Sequence, residues 1–127
     1  MQIRGERLKI SKNRQAWITI GSKTRTKTIL YALADDDKRS ILMRLVNNPE
    51  PVSKVLKSCH IPKTSGYRKI SSLIKEGLII KINSSHNHSN KGIGVYVSVF
   101  SDLKINFIKK EIIVKIHPNK NLKKRLN

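Results

Sequence analysis

The clearest pattern in this chain is a change of hydrophobic period partway along it. Between residues 26 and 76, apolar positions recur three and four apart, the spacing of one buried stripe on an α-helix. Ile29, Leu30 and Leu33 mark a short helix ending near Ala34. Asp35-Asp36-Asp37 reads as a second helix start, with carboxylates at the positive end of the helix dipole. Ile41, Leu42, Leu45 and Val46 form the inward face of that helix. Asn47-Asn48-Pro49-Glu50-Pro51 stops it, because proline cannot continue a helix and asparagine favours turns. A short helix over 52–58 follows, with Val55 and Leu56 inward. The tight connection Cys59-His60-Ile61-Pro62 leads into a longer helix over 63–76, which Gly77 ends.

After Gly77 the period becomes two. Residues 78–82 and 95–100 read as antiparallel strands, with a Ser-, Asn-, His- and Gly-rich loop over 83–94 between them. A further alternating pair, 103–108 and 112–116, predicts a second hairpin turning at Lys109-Lys110-Glu111. Residues 1–25 are polar and basic and read as a partly flexible arm. Within it, 16–21 is apolar enough for a short strand, and Trp17, the only tryptophan, is a candidate to dock on the core. From Pro118 the chain is a basic, frayed tail.

Composition narrows the class. A chain of 127 residues builds one domain with one core. No apolar run approaches the roughly 20 residues of a membrane span, and the first residues lack the apolar stretch of a signal peptide. The single cysteine, Cys59, excludes an internal disulfide framework and fits a reducing interior, so a cytoplasmic location is expected. Charge changes the picture most: 27 Lys and Arg against 8 Asp and Glu give +19, denser at the ends than in the middle. Such a chain repels itself, and a polyanion is its natural partner. Phosphate backbones qualify through counterion release, whereas a solvated lysine face or an anionic membrane surface is the bland alternative.

Two helices joined by a short turn, the second one basic, describe a helix-turn-helix, and a strand, polar loop and strand directly after it describe a wing. Here the sequence resembles the ArsR-like winged-helix transcription regulators, over roughly residues 29–100. The resemblance is carried by Ala32-Leu33-Ala34-Asp35 with Arg39 and Ile41-Leu42. It is carried equally by Ser65-Gly66-Tyr67-Arg68-Lys69-Ile70 with Leu73, Glu76-Gly77-Leu78 and Ile79. It implies an α+β winged helix-turn-helix over 26–101, to which this chain adds the C-terminal β-hairpin over 102–117, the basic arm over 1–25 and the tail over 118–127. It also implies sequence-specific binding to double-stranded DNA, a nucleoid-associated location, and a possible homodimer. Ile29, Leu33 and the apolar C-terminal hairpin are the candidate dimer surfaces.

Major-groove recognition needs a helix with one apolar face on the domain and one polar face free. In 63–76, Ile70, Leu73 and Ile74 are expected in the core, and Gly66 lets the preceding helix approach closely. The other face offers Lys63, Thr64, Tyr67, Arg68 and Ser71, with Lys69 completing the basic set. Arg68 is the candidate for guanine, because its forked donors match two acceptors on one base edge. Lys63, Thr64 and Ser65 stand at the helix start, where amides and side chains grip phosphate. Tyr67 suits a sugar or a thymine methyl. Wings of this family lie along a minor groove or flanking phosphates, which points to Lys81, His88 and Lys91.

Other chemistries find less support. Cys59, His60, His86, His88 and His117 are the available soft metal ligands, but thiolate-rich sensor sites need several cysteines, so no metal is expected. No Gly-rich phosphate loop, nucleophile elbow or helically spaced pair of carboxylates occurs, so no enzymatic activity, cofactor or small-molecule effector is expected. Three rivals remain: a non-specific protein coating chromosomal DNA, an RNA-binding or ribosome-associated protein, and a protein–protein module. Six aromatic residues in all offer few base-stacking platforms to RNA.

Overall fold

The computed structural model describes residues 16–82 and 94–122. In chain order these form β1 (Ile18–Thr19), α1 (Lys23–Ala34), α2 (Asp36–Asn47), α3 (Val52–Ser58) and α4 (Lys63–Lys75). Then follow β2 (Ile79–Ile82), β3 (Val95–Ser98), β4 (Phe100–Ile108) and β5 (Glu111–Pro118). The architecture is mixed α+β with antiparallel strands. Helix α1 begins at Lys23, ahead of Thr26, because the Ser22 side chain accepts from the Arg25 amide at 3.1 Å and supplies an N-cap. Asp35 serves both neighbouring helices. Its amide donates back to the Ala32 carbonyl at 3.2 Å, and its carboxylate accepts from the Lys38 amide at 3.0 Å.

The strands form two sheets, β2-β3 and β1-β5-β4. In the first, the register runs from Ile79 opposite Ser98 to Ile82 opposite Val95. Glu50, between α2 and α3, adds an antiparallel bridge to Tyr96, with amide-to-carbonyl bonds of 3.2 and 2.9 Å. In the second sheet, Ile18 lies opposite Ile116, so part of the expected amino-terminal arm is a strand of the C-terminal sheet. The second strand of the first hairpin ends at Ser98, and Phe100 opens β4 instead. Between them Val99 donates to the Leu78 carbonyl and accepts from the Asn119 amide, both at 3.0 Å, and so ties the sheets together.

One core serves both sheets. Ile41, Leu45, Val55, Leu73 and Val114 are fully buried in a single cluster that also contains Phe100. Burial of each large aliphatic side chain contributes about 1.5–3 kcal/mol. Since Phe100 and Val114 belong to that cluster, the C-terminal hairpin closes the helical core. Its tip reaches beyond the core, leaving Ile105, Phe107, Ile108 and Ile112 exposed. Ser98 donates to the Leu42 carbonyl at 2.6 Å and Asn119 to the Val46 carbonyl at 3.0 Å, whereas the buried Glu76 Oε1 and His117 Nε2 have no partner among the described residues. Glu50 accepts a fork from Arg44 at 2.9 and 2.8 Å. Trp17 is partly exposed and stacks on the His117 ring at 3.6 Å, with Lys104 Nζ 4.6 Å from its ring centre. No helix among the described residues is long and apolar enough to cross a membrane.

Candidate nucleic-acid interface

The turn between α3 and α4 sets the exposed helix. Cys59 and His60 amides donate to Val55 and Lys57 carbonyls at 2.9 and 3.2 Å, and the Ile61 amide returns to Leu56 at 2.9 Å. His60 occupies the left-handed region with φ of 58°, a conformation that glycine takes more readily. Ile61 is buried and anchors the turn. Gly66 faces α3 so closely that a Cβ there would fall 2.7 Å from both Leu56 methyl carbons. Glycine at this position thus lets the two helices approach without displacing Leu56.

Helix α4 presents three stripes. Gly66, Ile70 and Leu73 are buried. Lys63, Thr64, Tyr67, Arg68 and Ser71 are exposed together on the opposite side, spaced as one helical face. Ile74 is also exposed and continues that face, so it does not serve the core as its apolar character suggests. The third stripe, Lys69, Ser72 and Glu76, is turned toward the start of α2. There Lys69 forms an ion pair with Asp35, and Lys38 donates to Ser72 Oγ at 2.7 Å and to Glu76 Oε2 at 2.9 Å. Lys69, expected among the DNA contacts, is half-buried on this stripe and does not lie on the exposed face. Its partner Asp35 titrates below the usual carboxylate range, chiefly through the hydrogen bond from Lys69 and then that from the Lys38 amide. Arg25 closes the far end of the helix, donating to the Glu76 carbonyl at 2.6 Å.

The two helix starts contrast in charge. Helix α2 opens on Asp35, Asp36 and Asp37. The first turn of α4 has no carboxylate, its N-cap is Pro62, and no side chain caps its amides. Lys63 stands there instead, so the positive end of the helix dipole and a cation face solvent together. Ser65 is half-buried and turns its hydroxyl to the Pro62 carbonyl at 3.4 Å, whereas Thr64 beside it is exposed. Among the described residues no carboxylate pairs with Lys63 or Arg68, nor with Lys54 and Lys57 on the neighbouring α3. Lys54 and Lys57 are exposed cations beside α4 that sequence reasoning passed over; nothing in the α3 pattern separates them from ordinary solvated positions. Lys81 is exposed on β2, with its stem lying across Gly94. His88 and Lys91 lie outside the described residues, as does His86.

The described soft ligands are dispersed. Cys59 is half-buried with Sγ 3.7 Å from the Ser40 carbonyl, His60 is exposed, and His117 sits between Trp17 and Asp102. Burial pushes the Cys59 thiol up, away from the thiolate that binds metal. Among the described residues no three His, Cys, Asp or Glu side chains gather around a possible metal position. No protein-family model matches the chain, and no curated protein is similar to it in sequence.

Proposed function

We propose that this chain is a winged helix-turn-helix regulator that binds double-stranded DNA, with α4 in the major groove and the β2–β3 hairpin on the flanking backbone or minor groove. The observation that carries the reading is the free face of α4. An acid-free, uncapped helix start bears Lys63, and Thr64, Tyr67, Arg68 and Ser71 continue the same exposed stripe. A helix held on one side by α2, on another by the core, and at its end by Arg25 is pre-set to dock without reordering, which keeps the entropic cost of binding low. In this reading Arg68 reads a guanine, while Lys63, Thr64, Lys54 and Lys57 hold phosphates. The hairpin directly after α4, joined through Tyr96 to Glu50, supports its assignment as a wing.

Selection from a random-sequence duplex pool near physiological salt tests the reading. One enriched motif is the expected result, and a two-fold symmetric motif with half-sites about one turn apart indicates two copies on the operator. Tight binding with no enrichment replaces the regulator with the chromosomal coating protein that the +19 charge would also suit. Preference for single-stranded RNA over duplex DNA contradicts both.

A further inference from the structure

A second surface is formed by α1 and the C-terminal hairpin, and none of its lining residues belongs to α3 or α4. The hairpin tip and the first half of α1 enclose an open groove of about 680 Å³. Its apolar lining comes from Ile20, Leu30, Ile112 and Ile113, and Phe107 forms one wall while remaining 79% exposed. Lys23, Lys27 and Lys110 border it, with Glu111 as its one acid. Among the described residues none of these three lysines pairs with a carboxylate. The first turn of α1 is bonded through Arg25 to the carboxyl end of α4, whereas the proposed DNA contacts occupy the amino end of that helix.

We propose that this groove docks an acidic amphipathic helix of a partner protein. A concave apolar floor accepts side chains spaced i, i+3, i+4 and i+7, which is how amphipathic helices seat in grooves. Carboxylates along the edges of such a helix meet the three lysines, and this complementarity selects the occupant. A second copy of the chain fits less well. It brings the same lysines and the same +19 against them, with one Glu111 per copy in compensation. Docking there leaves the α4 face open, so that a protein bound to DNA can hold a second macromolecule. Only the simultaneous holding of DNA rests on the regulator reading; the choice of occupant rests on the groove and its charge.

Fluorescence anisotropy tests the proposal with a labelled synthetic helix bearing Leu at i, i+3, i+4 and i+7 and Asp or Glu elsewhere. A scrambled peptide of equal charge is the control. The amphipathic peptide is expected to bind the full chain saturably and at least about tenfold more tightly than the scramble. Phe107→Ser and the double change Lys23→Glu/Lys27→Glu should each weaken it by about tenfold or more. Both sites are exposed, and circular dichroism confirms the fold of each variant. Equal binding of the scramble, or indifference to Phe107→Ser, overturns the proposal by reducing it to bulk charge. A dimer in light scattering that Phe107→Ser dissolves overturns it in favour of a second copy. DNA affinity measured on the same samples keeps the two claims separate. Loss of DNA binding in Phe107→Ser assigns the groove to DNA and overturns the docking claim, whereas peptide binding without any DNA binding overturns the regulator reading alone.

Discussion

At the residue scale, three side chains carry separable burdens. Arg68 is exposed and among the described residues forms no ion pair, so Arg68→Ala should leave the thermal midpoint essentially unchanged. Gly66 is the reverse. A methyl group 2.7 Å from both Leu56 methyl carbons must displace the buried Leu56 side chain or push α3 and α4 apart, and overpacking of this kind costs about 1–3 kcal/mol. Gly66→Ala should therefore lower the urea midpoint, and a midpoint equal to wild type would show that Leu56 moves aside freely. Asp35 makes stability depend on pH. Its carboxyl holds its proton less well folded than unfolded, so its contribution is complete above the ordinary value near 4 and is lost as pH falls through the lower folded value. Asp35→Asn keeps a competent N-cap but removes that titration. Its urea midpoint should fall less than that of wild type between about pH 4 and about pH 2. Parallel curves would mean that the ion pair with Lys69 contributes nothing.

At the element scale, the β4–β5 connection shows what turn chemistry costs. Lys109 and Lys110 have φ of 51° and 65°, the paired left-handed geometry of a two-residue hairpin turn that favours Asn-Gly. Replacing Lys109-Lys110 by Asn-Gly should raise stability by about 1 kcal/mol or more in urea titration, since bulky residues pay a penalty there. Unchanged stability would show that the turn is relaxed with lysines. The position of this turn was legible because apolar alternation frames it on both sides, and the α3–α4 pair was legible because its apolar spacing stops at Pro62 and Gly77. What escaped reading depends on contacts far apart in sequence. Nothing near Ile18 announces its pairing with Ile116, and nothing near Lys69 announces Asp35. Glu50 looked like part of a helix stop, yet it bridges Tyr96 and is buried against Arg44. Ile29, a candidate dimer residue by its character, is buried in the chain's own core and is closed to a partner. Hydrophobic period identifies a buried side chain without telling which surface buries it, and Ile74 shows the converse error.

At the scale of the whole molecule, charge and shape divide the work. In the proposed reading the +19 charge and the cations of α3 supply the part of duplex affinity that is indifferent to sequence. Lys54→Ala and Lys57→Ala should each weaken binding nearly uniformly across duplexes and reduce the slope of log K against log salt by about 1. A loss confined to one sequence would move these lysines from phosphate to base contact. Because the ion pairs at Asp35 and Glu76 gather on one flank of α4, the orientation of the helix is set by the fold itself, and among the described residues the cations of the opposite flank form no ion pair.

The central claim is that α4 reads bases through Arg68, and one comparison tests it most directly. Wild type and Arg68→Ala are titrated against the selected duplex and against a shuffled duplex of equal length, near physiological salt. The account predicts that the substitution costs about 1–3 kcal/mol, or tenfold and more, on the selected duplex and little on the shuffled one. Equal losses on both duplexes, or none on either, would contradict base reading by α4.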